Sequence, residues 1–430
     1  MILMIVSAVT ALFGASNPRE HAMPGDDRGA SRADVHSGAH RVERVTTIAP
    51  FPRGLAVVDG TLYVLCRGRV CGAGGVSAAI RDQAGTIYAV DMSRGEPVTE
   101  APVSDAVRRN GTIVALPTDP PFHLWDRSAS PPERDTRTDR PYCVLRYDDA
   151  TDSFYICAFS GIDRQRTAAD PIAFSKNRSD GILRYDRRIE SWSVVDRHRL
   201  DSATYPHHDP ATNAPPHGWL EGPDNCLPVG RWLYAVAKDN SRLVAYDLSA
   251  YAEDPNATPP DGHIVLEDDI TLTDGTTLSF TGHSALAHRD EWLYVGSRTS
   301  SHIIRVRLGE DDLPRRPIRA ELLATFEPFN RETWTSADIT DMTFDDAGRL
   351  YVVCARPARV HRFTPNPAAM YDGRTSMPWL HLAESIGAPA TKAENVLAHD
   401  GWLYITTGNG YEYQAGAAGT VYRVPVDGCD

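Results

Sequence analysis

One pattern returns six times along this chain, and it leaves few folds open: a short apolar strand, a turn, then a strand centred on tyrosine. The copies are GLAVVDGTLYVL (54–65), CVLRYDDATDSFYIC (143–157), NCLPVGRWLYAV (225–236), SALAHRDEWLYVG (284–296), DMTFDDAGRLYVV (341–353) and NVLAHDGWLYITT (395–407). Tyr63, Tyr155, Tyr234, Tyr294, Tyr351 and Tyr404 hold the same place in them. Apolar alternation on either side of a Gly/Asp-type turn marks a β-hairpin. A third strand follows each hairpin, as in TIYAVDM (86–92) or TVYRVPV (420–426), and a fourth is visible in SWSVVD (191–196), HIVLED (263–268) and ELLATF (321–326). Repeated four-stranded antiparallel units hide their sheet edges by closing radially. The expected fold is therefore all-β, a six-bladed β-propeller. The sixth copy ends with three strands, so residues 41–49 (RVERVTTIA) are expected to supply the fourth and close the ring.

Long insertions fall between second and third strands (67–85, 158–180, 408–419) and between blades (100–141, 199–222), whereas the opposite turns stay short. In a propeller these long links share one rim, and loops on one rim of a rigid scaffold build binding surfaces. Trp232, Trp292 and Trp402 open second strands and read as packing between blades.

Residues 1–16 form an apolar run, too short to span a bilayer, that suits a secretory signal. Residues 17–40, rich in Gly, Ser, Asp and Arg, read as a tether, and 41–430 as one domain. A secreted or periplasmic protein is expected, with no membrane span in the mature chain, and a monomer. The net charge of −13 repels phosphate backbones and argues against nucleic acid. Lysine occurs only at 176, 238 and 392. Seven cysteines lack paired metal spacing. Cys66 and Cys354 read as small packing residues, while Cys143 could pair with Cys157, or Cys66 with Cys71, in an oxidising compartment.

Aligned on their tyrosines, the copies bring Gly54, Cys143, Asn225, Ser284, Asp341 and Asn395 to one position at the mouth of the central tunnel. Arg53, Tyr142, Asp224, His283, Thr340 and Glu394 precede them. Two Asn and one Asp, with Asp224, Glu394 and His283 behind and Glu221 nearby, make an oxygen-rich set suited to a hard divalent cation such as Ca²⁺. The same groups would equally hydrate a water-filled tunnel and cap strand ends. Asn225, Asp341, Asn395 and Glu221 are the candidate ligands. His283 or Asp341 is the candidate general base, and Arg53, Asp224, Glu394 and His217 the candidate substrate face. His207, His208, Asp209 and His217 crowd one loop and read as solvated. There is no GxSxG, HExxH, GxxxxGK or CxxCH motif.

Blades such as GPDNCLPVGRWLYAVAKDNSRLVAYDL and ITDMTFDDAGRLYVVCARPARVHRF resemble those of the six-bladed superfamily that includes SMP-30/gluconolactonase, strictosidine-synthase-like proteins and NHL repeats. The resemblance covers nearly all of 41–428 through generic blade motifs. It implies a tunnel metal held by Glu, Asn and Asp and a lactone or ester hydrolase. Asn225, Asp341 and Asn395 match that set by residue type, but Arg53-Gly54 stand where the first-blade Glu is expected, and the ligand order differs. Two functions stay open: a metal-dependent hydrolase, or a non-catalytic platform for a carbohydrate, peptide or protein ligand. A quinone-dependent sugar dehydrogenase is a third.

Overall fold

The computed structural model describes residues 35–37, 40–46, 52–66, 86–92, 112–115, 142–158, 181–197, 220, 222–238, 241–328, 336–387, 391–409 and 420–427. Antiparallel sheets follow one another in chain order. Blade one holds β3 (Pro52–Val58), β4 (Thr61–Cys66), β5 (Thr86–Asp91) and β6 (Thr112–Ala115). Blade two holds β7 (Tyr142–Asp148), β8 (Ser153–Ala158), β9 (Gly181–Asp186) and β10 (Ser191–Arg197). Blade three holds β11 (Pro223–Val229), β12 (Trp232–Ala237), β13 (Arg242–Asp247) and β14 (Gly262–Leu266), and a short hairpin of β15 (Asp269–Thr271) and β16 (Thr277–Ser279) leads on from it.

Blade four holds β17 (His283–Arg289), β18 (Trp292–Ser297), β19 (His302–Arg307) and β20 (Ala320–Thr325); β24 (Tyr371–Asp372) adds to its edge in parallel. Blade five departs from the four-strand expectation. Among the described residues it has three strands, β21 (Ser336–Phe344), β22 (Leu350–Arg356) and β23 (Arg359–Phe363). Leu380 exchanges both backbone hydrogen bonds with Val360 there, a one-residue substitute for a fourth strand. Blade six holds β25 (Thr391–His399), β26 (Trp402–Asn409) and β27 (Thr420–Pro425).

An N-terminal strand completes blade six, as expected. β2 (His40–Thr46) pairs with β27 through Glu43↔Arg423, Arg44↔Tyr422 and Thr46↔Val421. The ladder also reaches into the stretch read as tether, because β1 (Val35–Ser37) pairs with β2. Val42 is buried in the core of blades five and six, and the Arg423 guanidinium meets Glu43 at 2.7 Å.

Successive side chains of a strand point to opposite faces, so each blade can pack on both neighbours. Leu55 joins Tyr404 and Val421 between blades one and six, while Ala56 joins Leu145 and Phe154 between blades one and two. An apolar cluster fills each of the six interfaces in this way, the sixth-to-first included. The propeller is closed by side-chain burial as well as by the strand exchange. Blade one also approaches blade two too closely for a side chain at Gly54, where a Cβ would lie 2.3 Å from the Leu145 backbone nitrogen. The tryptophans pack between blades as expected: Trp232 lies in the cluster of blades three and four, Trp292 against that of four and five, and Trp402 against that of six and one. Within their own blades Trp292 lies under Arg305 at 3.9 Å and Trp402 under Arg423 at 4.3 Å. Cys157, Cys226 and Cys354 are buried free thiols, so the Cys143–Cys157 disulfide that the sequence allows is not formed. Burial pushes the Cys157 thiol well up. No helix among the described residues is long and apolar enough to cross a membrane.

Candidate functional site

Every innermost strand carries a β-bulge near its start, opposite the end of the second strand. The extra residue lies between Pro52 and Gly54, Tyr142 and Val144, Pro223 and Asn225, His283 and Ala285, and Ile339 and Asp341; in blade six the irregularity spans Ala393 to Val396. A bulge re-aims a side chain and interrupts pairing. The bulged residues are thus Arg53, Cys143, Asp224, Ser284, Thr340 and Glu394, and the ring behind them is Gly54, Val144, Asn225, Ala285, Asp341 and Asn395. The tyrosine alignment is one residue out in blades two and four. Cys143 and Ser284 move to the bulge, and Tyr142 and His283 move off it.

That shift relocates His283. Its imidazole is fully buried, Nε2 meets the Phe280 carbonyl at 2.9 Å, and the ring lies against Phe280 with centroids 4.9 Å apart. Burial lowers its pKa to about 4, against hydrogen bonds to Phe280 and Arg242 that raise it. These are the surroundings of a neutral packing residue, and no hydrogen bond or ion pair joins it to Asp341 among the described residues. Glu221 and His217, with the rest of the 207–217 cluster, lie outside the described residues.

Asn225, Asp341 and Asn395 do lie together in the ring, with a group the sequence reading passed over. Arg146, from the middle of β7, reaches blade five on the far side of the tunnel. Its Nη2 meets Asp341 Oδ1 at 2.6 Å and Asn225 Oδ1 at 3.3 Å. Asn225 Nδ2 donates to the same Asp341 Oδ1 at 2.7 Å, and the Val396 N–H donates to Oδ2 at 3.0 Å. Asn395 donates through Nδ2 to the Glu394 carbonyl at 2.8 Å, and its Oδ1, though buried, has no hydrogen-bond partner among the described residues.

The bulge layer above is also charged. Arg53 pairs with Glu394, which Lys392 Nζ meets at 2.9 Å. Asp224 is ringed by Arg298 at 3.6 Å, Arg53 at 3.7 Å and Lys238 at 3.9 Å, and Arg298 also pairs with Asp338. Lys238 and Arg298 occupy one structural place, the residue after the second strand of blades three and four. Burial alone would raise the Asp224 carboxyl, but Lys238, Arg298, Arg53 and Lys392 hold it well below the ordinary carboxylate range. Burial outweighs Glu394 at Lys392 and lowers its pKa to about 8. Both Asp224 oxygens lie at ion-pair distance from cations, yet neither accepts a hydrogen bond among the described residues.

The named groups comprise five cations (Arg53, Arg146, Lys238, Arg298, Lys392) and four carboxylates (Asp224, Asp338, Asp341, Glu394). A divalent cation does not fit this set as it stands. Ca²⁺ needs about six to eight oxygens at roughly 2.3–2.6 Å. Here the one ring carboxylate is already spent on Arg146, Asn225 and Val396, and the guanidinium stands among the remaining donors. Among the described residues no three His, Cys, Asp or Glu side chains gather as a metal set. Sequence held two unread signals. Arg146 interrupts the apolar pattern of CVLRYD at a place where Ala56, Leu227, Ala287, Thr343 and Leu397 face the other tyrosines. Two of the three lysines, 238 and 392, end at the tunnel.

No family model and no curated protein sequence matches the chain. Solved structures similar to it include a luciferin-regenerating enzyme, 12% identical over 91% of this chain and 97% of that one, with a TM-score of 0.47. Regucalcin, a calcium-binding protein from Agrobacterium tumefaciens, is 10% identical over 89% and 94%, with a TM-score of 0.45. An aldose sugar dehydrogenase from Streptomyces coelicolor, in its PQQ-bound form, is 13% identical over 90% and 99%, with a TM-score of 0.44. At these identities and scores the likeness bears on neither ligand nor reaction.

Proposed function

We propose that the chain is a binding propeller whose tunnel mouth, around Asp224, Arg53 and Glu394, takes a small neutral polyhydroxylated ligand of carbohydrate type. Asp224 carries the reading. Among the described residues its two buried oxygens accept no hydrogen bond, while three cations stand 3.6–3.9 Å away. A buried acceptor without a donor costs about 1–3 kcal/mol, and more when charged. A hydroxyl both donates and accepts, so it can give a proton to Asp224 and take one from a neighbouring guanidinium or ammonium. An anion would meet three carboxylates in this layer and a cation would meet four cations, so a neutral donor–acceptor ligand suits it best. Hydrolysis of a lactone or ester through a tunnel cation would first require Arg146 to be displaced from Asp341.

Thermal melts with monosaccharides, alditols and their deoxy analogues at roughly tens of millimolar test the reading, on the expectation of a saturable rise with hydroxylated ligands. The Asp224→Asn variant should lose that rise while remaining folded. A flat response across hydroxylated ligands, or an equal response to deoxy analogues, overturns it. We further propose that this binder is exported, supported by the apolar run of 1–16. Intact-mass analysis from the native host should then find a mature start near residue 17, and a product retaining Met1 overturns the export proposal.

A further inference from the structure

Arginines at the tunnel stay charged whatever surrounds them, whereas a buried lysine can give up its proton and become a nucleophile. Lys392, in β25, is 6% exposed. Its Nζ donates at 2.9 Å to Glu394 Oε2, the oxygen that Arg53 also holds. Arg298 of blade four and Asp338 of blade five act on it as well, and it acts in turn on Asp224 of blade three. The amine thus stands among charges from blades one, three, four and five at the tunnel mouth. Glu394 keeps its pair with Arg53, so Lys392 can lose a proton without stranding a carboxylate. Burial favours that loss, and Arg53 and Arg298 add to it against Glu394 and Asp338. A desolvated amine beside other cations is the setting in which lysine attacks carbonyl carbon.

Resting on the carbohydrate reading above, we propose that Lys392 captures the open-chain aldehyde of an aldose at the tunnel mouth as a protonated imine. The ammonium gives one proton to solvent water, and the free amine adds to the aldehyde carbon while the C=O π pair moves to oxygen. An N–H proton passes to that oxygen, leaving a carbinolamine. Its hydroxyl takes a proton back from solvent and leaves as water, displaced by the nitrogen lone pair. One ammonium and one aldehyde have become one protonated imine and one water, with no oxidant or other reactant. The imine nitrogen keeps the single positive charge and an N–H for Glu394, so the charge count of the layer is unchanged. Asp224, with Arg53 and Arg298 beside it, is left to hold the hydroxyls of the captured sugar.

The test incubates wild-type protein at pH 8 with erythrose, erythritol or butanal, quenches with borohydride, and maps the reduced adducts by mass. Three lysines, at 176, 238 and 392, and the amino terminus make the map simple. Erythrose should label Lys392 at least about tenfold faster in folded than in urea-unfolded protein, since about half its amine is free at pH 8 against about 0.3% for a lysine at 10.5. Its labelling rate should level off above about pH 8, and the adduct should be missing from Lys392→Arg, which keeps the charge but has no such amine. Erythritol cannot form an imine, so its effect on the melting temperature reads the carbohydrate site alone. If erythritol stabilises the protein but erythrose leaves Lys392 unlabelled, the capture proposal fails and the carbohydrate reading stands. If butanal labels Lys392 while neither erythrose nor erythritol shifts the melt, the carbohydrate reading fails and the proposed substrate falls with it. Equal labelling of Lys238 or the amino terminus, or equal rates before and after unfolding, also overturns the proposal; the wild-type map needs no variant to fold.

Discussion

Arg146 and Asp341 form an ion pair across the tunnel, with the carboxylate fully buried and the two atoms 2.6 Å apart. Taking ~4 Å between charge centres and an effective dielectric of ~20, their attraction is about 4 kcal/mol. Removing either partner alone strands a buried charge, a loss of about 3–5 kcal/mol. Arg146→Met should therefore cost that much, and so should Asp341→Asn. In Arg146→Met/Asp341→Asn no buried charge is left uncompensated, so the double variant should lose far less than the sum, giving a coupling energy of about 3 kcal/mol. Urea denaturation in the presence of chelator measures all four proteins at constant m-value. Additive single effects, with coupling under about 0.5 kcal/mol, would show that the pair is incidental and that each residue acts through packing alone.

Deleting residues 1–46 should lower the melting temperature by several degrees relative to deletion of 1–34 and promote association through the exposed β27 edge; an equal midpoint for both would refute closure by β2. The depressed Lys392 pKa of about 8, against 10.5 for an ordinary lysine, sets a sign for alkaline stability. Between those values the unfolded chain binds more protons, so stability should rise with pH across that window and the rise should vanish in Lys392→Met. A difference between the two proteins that stays constant or falls from pH 8 to 10.5 contradicts this. Gly54→Ala forces a Cβ to within 2.6 Å of the Leu145 Cβ and should destabilise by about 1–3 kcal/mol in a chemical melt; a neutral effect would mean that the two innermost strands separate freely.

The six hairpins were legible because hydrophobic alternation and turn chemistry are local, and each copy repeats them. Counting strands even located the closing partner of β27, since a sheet edge left open at the C-terminus demands a strand from elsewhere. The mouth of the tunnel was less legible. Hairpin turns differ in length, with two residues between Val58 and Thr61 but four between Asp148 and Ser153, and each innermost strand adds a bulge. Alignment on tyrosine therefore slips by one residue, and in a strand one residue reverses the face. Turn length accounts for blade two only: blade four shares the two-residue turn of blade one, so Ala285 is the counterpart of Gly54, and His283 packs on Phe280. Asn225, Asp341 and Asn395 were found from sequence, but their state was not. What a carboxylate does depends on which charge reaches it, and Arg146 lies 195 positions from Asp341 in sequence. Local patterning determined that this chain is a propeller and which strands line its axis. Only the closed ring, by bringing side chains from opposite blades into contact, decided that a guanidinium holds the centre.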